Sequence, residues 1–309
     1  MSRPERASAV VGAAMLVALS SPACRGGGDG DGLSGLIELD GSSTVFSISQ
    51  AMAEEFQIAH GRAVRVSVGV SGTGGGFQRF CNGETEISNA SRRINASEAA
   101  ACAREGITPL ELQIAWDGLT VVVHPSNDWV GCMTVEELRR VWAPGSGLAR
   151  WSQIRPDWPD HELKLYGPDT DSGTFDYFTA AVMGEEGASR NDYTASADDH
   201  VLVAGVSGDP GALGYFGYVY FEENQEQLRA LEVDGGAGCV APSRRTIVDG
   251  TYKPLARPMF IYIRRDALER PEVRAFVGFY IDNAAALIPE TGHIPLAPEA
   301  YAEVRARID

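Results

Sequence analysis

From Leu36 onward, short apolar runs alternate with segments whose apolar residues recur every three or four positions. Leu36-Ile37-Glu38-Leu39-Asp40 predicts a strand. After a Gly41-Ser-Ser-Thr44 turn, Ile48, Ala51, Met52, Phe56 and Ala59 form a stripe at helical spacing, broken only by Glu55, which predicts a helix beginning near Ser47. Val64, Val66 and Val68 alternate with Arg65 and Ser67, the pattern of a half-buried strand. A glycine-rich turn then leads to Phe77 and Phe80 on a helix. Thr120-Val-Val-Val123 predicts a buried strand ended by Pro125. Leu163–Tyr166 predicts another strand, followed by a helix carrying Phe175, Phe178, Ala181 and Val182. Phe260–Ile263 is a late strand. Strand–turn–helix repetition predicts an α/β sheet architecture. The chain has no repeat and no Pro-rich linker, so two lobes, if present, are joined through strands.

The first residues follow a different pattern. Arg3 and Arg6 precede an apolar run from Ala7 to Ser20, and small residues then lead to Ala23-Cys24. The run is too short for a membrane span and suits the core of an export signal. A Cys after small residues resembles a bacterial lipoprotein cleavage site, with Ser21 standing where Leu is usual. We therefore expect a signal peptide over 1–23, lipidation of Cys24, and a flexible tether over 24–35 built on Gly26–Gly32. The alternative is plain secretion, with Cys24 removed or free.

Composition narrows the function. Of 309 residues 44% are hydrophobic, enough for a large core, and this excludes a disordered chain. Asp and Glu number 42 against 26 Lys and Arg, giving a net charge of −16. Loss of the predicted signal removes two Arg and one Glu and takes this to about −17. A nucleic-acid partner would call for a basic face, so none is expected. An anionic ligand must instead be held by local dipoles and placed cations, against the overall field. With Cys24 set aside, Cys81, Cys102, Cys132 and Cys239 remain, an even number suited to two disulfides in an exported chain. Three pairings are possible; Cys81–Cys102 with Cys132–Cys239 is favoured. No C-x-x-C occurs and the five His are scattered, so no metal site or cofactor is expected.

Three segments share one local chemistry: Gly41-Ser42-Ser43-Thr44-Val45, Ser71-Gly72-Thr73-Gly74-Gly75-Gly76 and Asp171-Ser172-Gly173-Thr174. Each follows a strand and precedes a helix. Each brings hydroxyls and unencumbered N–H groups to the positive end of a helix dipole, where an oxyanion can bind without a basic surface. Any one of them is an ordinary capping sequence. Three in one α/β chain, at strand C-terminal ends, point to a shared crevice. No Lys follows a glycine run, which excludes a P-loop. Phe77 ends any dinucleotide pattern, and Gly69-Val70-Ser71-Gly72-Thr73 departs from a nucleophile elbow at Thr73.

Two charged groups complete the reading. Arg92, in Ile87-Ser-Asn-Ala-Ser-Arg92-Arg93, offers a guanidinium for bidentate contact with a tetrahedral anion. Asp117, just before the all-Val strand, is placed to accept the proton of a protonated oxyanion. That choice favours monohydrogen phosphate over sulfate, which has no donor at neutral pH and would face the carboxylate charge to charge.

Taken together, these segments resemble the PstS family, the phosphate-binding proteins of the bacterial phosphate-specific ABC importer. The resemblance runs from about Ile37 to Pro298. It is strongest at Gly41–Phe46, Ser71–Phe77, Ile87–Arg92 and Asp171–Phe178, with Gly214–Tyr218 and Arg257–Tyr262 also fitting. It implies a two-lobed periplasmic-binding-protein fold of type II kind, with two crossover hinge strands closing on phosphate. The implied lobes are 36–117 with 257–309, and 118–256. Implied ligands are Ser43, Thr44 and the Val45 amide, Thr73, and Ser172, the Gly173 amide and Thr174. Some members place an Arg shortly before the S-G-T turn, where this chain has Gly167-Pro-Asp-Thr170, and an Asp where Ser91 stands. Arg92 and Asp117 are therefore assigned as cation and proton acceptor.

The expected function is an exported, non-enzymatic receptor, a monomer outside the cytoplasmic membrane, that delivers inorganic phosphate to ABC permease subunits. The rival readings are a receptor for sulfate or molybdate, an exported serine phosphatase or esterase using Ser71 or Ser172, and a surface sensor.

Overall fold

The computed structural model describes residues 32–308; the predicted signal peptide, Cys24 and most of the tether lie outside the described residues. The first elements are β1 (Gly35–Gly41), α1 (Ser43–Ala59), β2 (Val64–Val68), α2 (Gly72–Cys81), β3 (Ile87–Ala90) and α3 (Ala96–Arg104). A long β4 (Pro109–Val123) follows, then β5 (Cys132–Thr134), α4 (Val135–Trp142), β6 (Lys164–Pro168) and α5 (Gly173–Met183). Next come β7 (Thr194–Ser196), α6 (Asp199–Ser207), β8 (Ala212–Gly217), α7 (Tyr218–Glu223), β9 (Arg229–Ala230), β10 (Glu232–Asp234), β11 (Cys239–Val240) and α8 (Arg244–Val248). The chain closes with β12 (Ala256–Arg264), α9 (Pro271–Glu290), β13 (Ile294–Pro295) and α10 (Pro298–Arg305).

The main sheet runs β2-β1-β3-β12-β4-β8-β6-β7, with β9 and β13 attached to β4. β1 is parallel to β2 and β3, and β6 is parallel to β7 and β8. Between these parallel sets, β12 and β4 are antiparallel, with Arg257 opposite Asp117 and a bulge between Met259 and Phe260. Two cores flank this pair. One gathers Ile37, Ile48, Met52, Phe56, Phe276 and Tyr280 against Leu110, Leu112 and Ile114 of β4. The other gathers Val121, Val123, Trp142, Trp151, Phe178 and Tyr215. β4 serves both: Leu110, Leu112 and Ile114 alternate with half-exposed residues, whereas Gly118–Val123 is buried throughout. Val122 packs oppositely, with Leu202, Val206 and Phe216, so this half of the strand is covered on both faces.

The structure corrects three expectations. Helix α1 begins at Ser43, four residues before Ser47, so the apparent turn supplies the N-cap and first helical turn. The Gly72–Gly76 run is likewise helical. Its composition answers to packing: a Cβ on Gly76 would lie 2.5 Å from Gly41 Cα and 2.9 Å from Asp40 O, so only glycine lets α2 lie this close to β1. Asp117 sits inside β4 and not before it, because the alternation of Glu111 and Gln113 with apolar neighbours extends the strand back to Pro109.

Cys81–Cys102 joins α2 to α3, and Cys132–Cys239 joins β5 to β11, as favoured from the sequence. The second bridge closes a separation of 107 residues within the small β11-β10-β5 sheet. Replacing both its cysteines by Ser is expected to cost about 2–5 kcal/mol. Chemical denaturation checks this; an unchanged midpoint would show that the bridge constrains nothing. No described helix is long and apolar enough to cross a membrane.

Candidate functional site

Strands β1, β2 and β6 each lead at their C-terminal ends into α1, α2 and α5. The N-termini of α1 and α5 meet. A Cβ on Gly173 would lie 2.6 Å from the Thr44 backbone nitrogen and 2.8 Å from Thr44 Oγ1. Thr44 Oγ1 donates to the Gly173 carbonyl at 3.0 Å, and Ser43 Oγ donates to Asp176 Oδ2 at 2.7 Å. Thr44 is 6% exposed and Val45 is fully buried, yet no side chain caps α1. The first-turn N–H groups of a helix have no intrahelical acceptor, and a buried end without a cap leaves them facing whatever occupies the junction. Helix α5 differs: Ser172 Oγ accepts from the Thr174 amide at 3.2 Å.

A cation reaches the same point from the central strands. Arg257 on β12 donates through Nη2 to Thr44 Oγ1 at 2.6 Å and through Nε to Asp117 Oδ2 at 3.2 Å. Its side chain is 16% exposed and that of Asp117 is 5% exposed. The guanidinium carbon lies 3.5 Å from the centroid of the Tyr177 ring, a stacking contact that fixes the plane of the fork. Burial pushes the Tyr177 phenol far above its ordinary range, so it stays a donor, and it bonds to the Pro254 carbonyl at 2.7 Å.

Cavities lie on both sides of this contact. One, of about 230 Å³, is lined by Ser43, Thr44, Asp117, Ser172, Gly173 and Thr174, together with Asp199, Tyr220 and His293. The other, of about 590 Å³, is lined by Thr73, Ser91, Arg92, Tyr177 and Arg257. The structure thus gathers most of the sequence-predicted residues in the first cavity and puts Thr73 and Arg92 in the second. Thr73 Oγ1 lies 3.1 Å from Ser91 Oγ and accepts from the Ser91 amide at 3.2 Å. Arg92 is engaged by a neighbouring carboxylate. Its guanidinium donates to both carboxylate oxygens of Glu98, at 2.9 and 2.8 Å, and stacks over Phe77, with its side chain 45% exposed.

The first cavity is acidic. No Lys or Arg is among its lining residues, while Asp117, Asp171 and Asp199 are. Burial, reinforced by Asp198, raises the Asp199 carboxyl to about 7. His293 is buried in the lining of the same cavity, its Nδ1 3.0 Å from Thr291 Oγ1, and burial holds its imidazole below the usual range and neutral.

The serines proposed for hydrolysis are otherwise engaged. Ser71 Oγ donates to Asp40 Oδ1 at 2.5 Å, and Asp40 also pairs with Arg79. Ser172 Oγ is the α5 cap. Among the described residues neither is hydrogen-bonded to a His, the base that nucleophile activation requires.

Sequence reasoning passed over Arg257, Tyr177 and Asp199. Arg257 and Tyr177 stood inside segments that carried the family resemblance, but nothing in the sequence reveals that β12 lies across β4 with Arg257 opposite Asp117. That pairing spans 140 positions. Asp199 follows Asp198 and reads as an ordinary acidic helix start.

The model of the PBP superfamily domain matches residues 23–284. The chain is 48% identical over 268 residues to protein SphX of Synechocystis sp., covering 86% of this chain and 80% of that one. It is 37% identical over 306 residues to the phosphate-binding protein PstS of Staphylococcus saprophyticus, covering 97% and 92% respectively. The crystal structure of a possible phosphate binding protein from Planctomyces limnophilus is similar with a TM-score of 0.86 and 46% identity, over 89% of this chain and 98% of that one. With near full-length similarity in sequence and in fold, this chain belongs to the PstS family of phosphate-binding proteins within the PBP superfamily.

Proposed function

We propose that the chain captures inorganic phosphate at the α1–α5 junction, outside the cytoplasmic membrane, and delivers it to the permease of an ABC importer. The observation that carries this reading is the buried, uncapped N-terminus of α1 with the Arg257 guanidinium held against Thr44. Dipole and cation converge there in a protein whose net charge is −16, which is what capture of an anion against an unfavourable field requires. In our assignment the Thr44 hydroxyl and Val45 amide, Ser43, Thr73, Ser172, the Gly173 amide and Thr174 donate hydrogen bonds. Arg257 replaces Arg92 as the cation. Asp117 accepts the phosphate proton; only its Oδ2 is engaged with Arg257.

Lobes at 36–117 with 257–309 and at 118–256 would close about β4 and β12, with ligand contacts from both sides favouring the closed state. The receptor acts as a monomer and performs no chemistry, and Cys24 carries its lipid anchor. Calorimetric titration of desalted protein tests the ligand. We expect one phosphate per chain, with sulfate and molybdate weaker by about two orders of magnitude or more because neither can donate to Asp117. Sulfate binding as tight as phosphate would remove the role given to Asp117; no phosphate binding would end the proposal.

A further inference from the structure

We propose that the Asp199 carboxyl is a proton-carrying specificity residue of the anion site: it meets the doubly charged phosphate as the neutral acid and donates a hydrogen bond to it, so that capture above neutral pH draws one proton from solvent into the cavity. This rests on the phosphate reading above and adds a residue and a proton to it.

The geometry is that of one small chamber. Asp199, in the first turn of α6, lines the cavity of about 230 Å³ shared with Thr44, Ser172, Gly173 and Thr174. No hydrogen bond or ion pair engages its carboxyl among the described residues, so its hydrogen-bonding capacity remains open to a ligand. The surrounding charges make the neutral form the useful one. Asp198 and His200 flank it on its own helix, Asp117 faces it from β4, and Tyr220 from α7. Asp171 and His293 line the same cavity, and burial keeps His293 neutral. No Lys or Arg lines the cavity, and Arg257 is already shared between Asp117 and Thr44. A second carboxylate here would repel both Asp117 and an incoming anion, whereas a carboxylic acid supplies a donor without charge. Burial and the Asp198 charge hold this group at about 7, so the free protein loses the proton just above neutrality and must regain it to bind.

The sign follows from linkage. Below neutral pH Asp199 is already protonated and binding takes up no proton there. Above about pH 8 phosphate is itself doubly charged and the free carboxyl is ionised, so affinity falls about tenfold per pH unit.

Calorimetry of the full chain with inorganic phosphate at pH 7, 8 and 9, each in two buffers of different ionisation enthalpy, measures both affinity and protons taken up. Wild type is expected to lose affinity about tenfold between pH 8 and 9 with uptake approaching one proton. Asp199→Asn, a neutral donor of the same shape, is expected to bind at pH 7, to keep its affinity from pH 8 to 9, and to take up no proton at pH 9. Equal slopes and equal uptake in the two proteins would overturn the role of Asp199 while leaving phosphate capture intact. Wild type that binds no phosphate at pH 7 would overturn both. Should Asp199→Asn fail to fold, proton uptake by wild type alone decides: none at pH 9 rejects the proposal.

Discussion

Arg257→Ala is expected to weaken phosphate binding by about 10²–10³-fold, the largest single effect in the site. Two losses combine. The anion loses the guanidinium that reaches Thr44, and Asp117, 5% exposed, is left as an uncompensated carboxylate facing the same junction. Removing one partner of such a pair costs about 3–5 kcal/mol. Part of that falls on stability, so the Arg257→Ala/Asp117→Asn double variant is expected to regain its unfolding midpoint without regaining affinity. Arg257→Lys keeps the charge but not the fork that spans Thr44 and Asp117, and should recover only part of the binding. Arg92→Ala is the contrasting case. Arg92 is bound by both oxygens of Glu98 at the surface, so its loss should change affinity by no more than about threefold, the scale of an exposed pair. Titration of the two alanine variants side by side decides the matter: a large loss for Arg92→Ala and a small one for Arg257→Ala would reverse the assignment.

The second large effect is steric. Gly173→Ala introduces a methyl whose carbon would lie 2.6 Å from the Thr44 amide nitrogen and 2.7 Å from Thr44 Cα. These are backbone atoms at the start of another helix, so no side-chain rotation relieves the overlap and α1 and α5 must separate. Gly173 stands at the first position of α5 and follows its cap, where Ala is well tolerated in the helix itself. The variant should therefore lose some stability as the Thr44–Gly173 and Ser43–Asp176 bonds break, while phosphate affinity drops by about two orders of magnitude, since contacts from both helices cannot form together. Calorimetry with thermal unfolding as the control measures both; wild-type affinity would mean that the two N-termini do not act jointly on the ligand.

Much of this arrangement was legible in the sequence because its signals are local. Alternating valines and 3.6-residue stripes mark β1, α1, β2 and the helices after them, and three Gly/Ser/Thr segments mark the helix starts around the site. Boundaries were missed where one residue serves two purposes. Ser43 and Thr44 look like turn residues and are the first helical turn, and Gly72–Gly76 looks like a loop although its glycines exist to admit the close packing of α2 on β1. The two candidate cations differ in how visible they are. Arg92 follows directly on a motif and is easy to find, whereas Arg257 becomes relevant only through the β12–β4 register that sets it opposite Asp117. Composition cannot reveal that Glu98 captures Arg92, since the sequence carries 42 acidic residues and any of several was a candidate partner. Asp199 was invisible for a related reason: its perturbation comes from desolvation in a cavity whose other walls are distant in the chain, and from Asp198.

The most direct test of the central claim is a crystal structure of the full chain grown with inorganic phosphate. One tetrahedral density is expected at the meeting of α1 and α5, bonded to the Thr44 hydroxyl, the Val45 and Gly173 amides and the Arg257 guanidinium. Density held by Arg92 at the surface, or a junction that stays closed on itself at saturating phosphate, would contradict it.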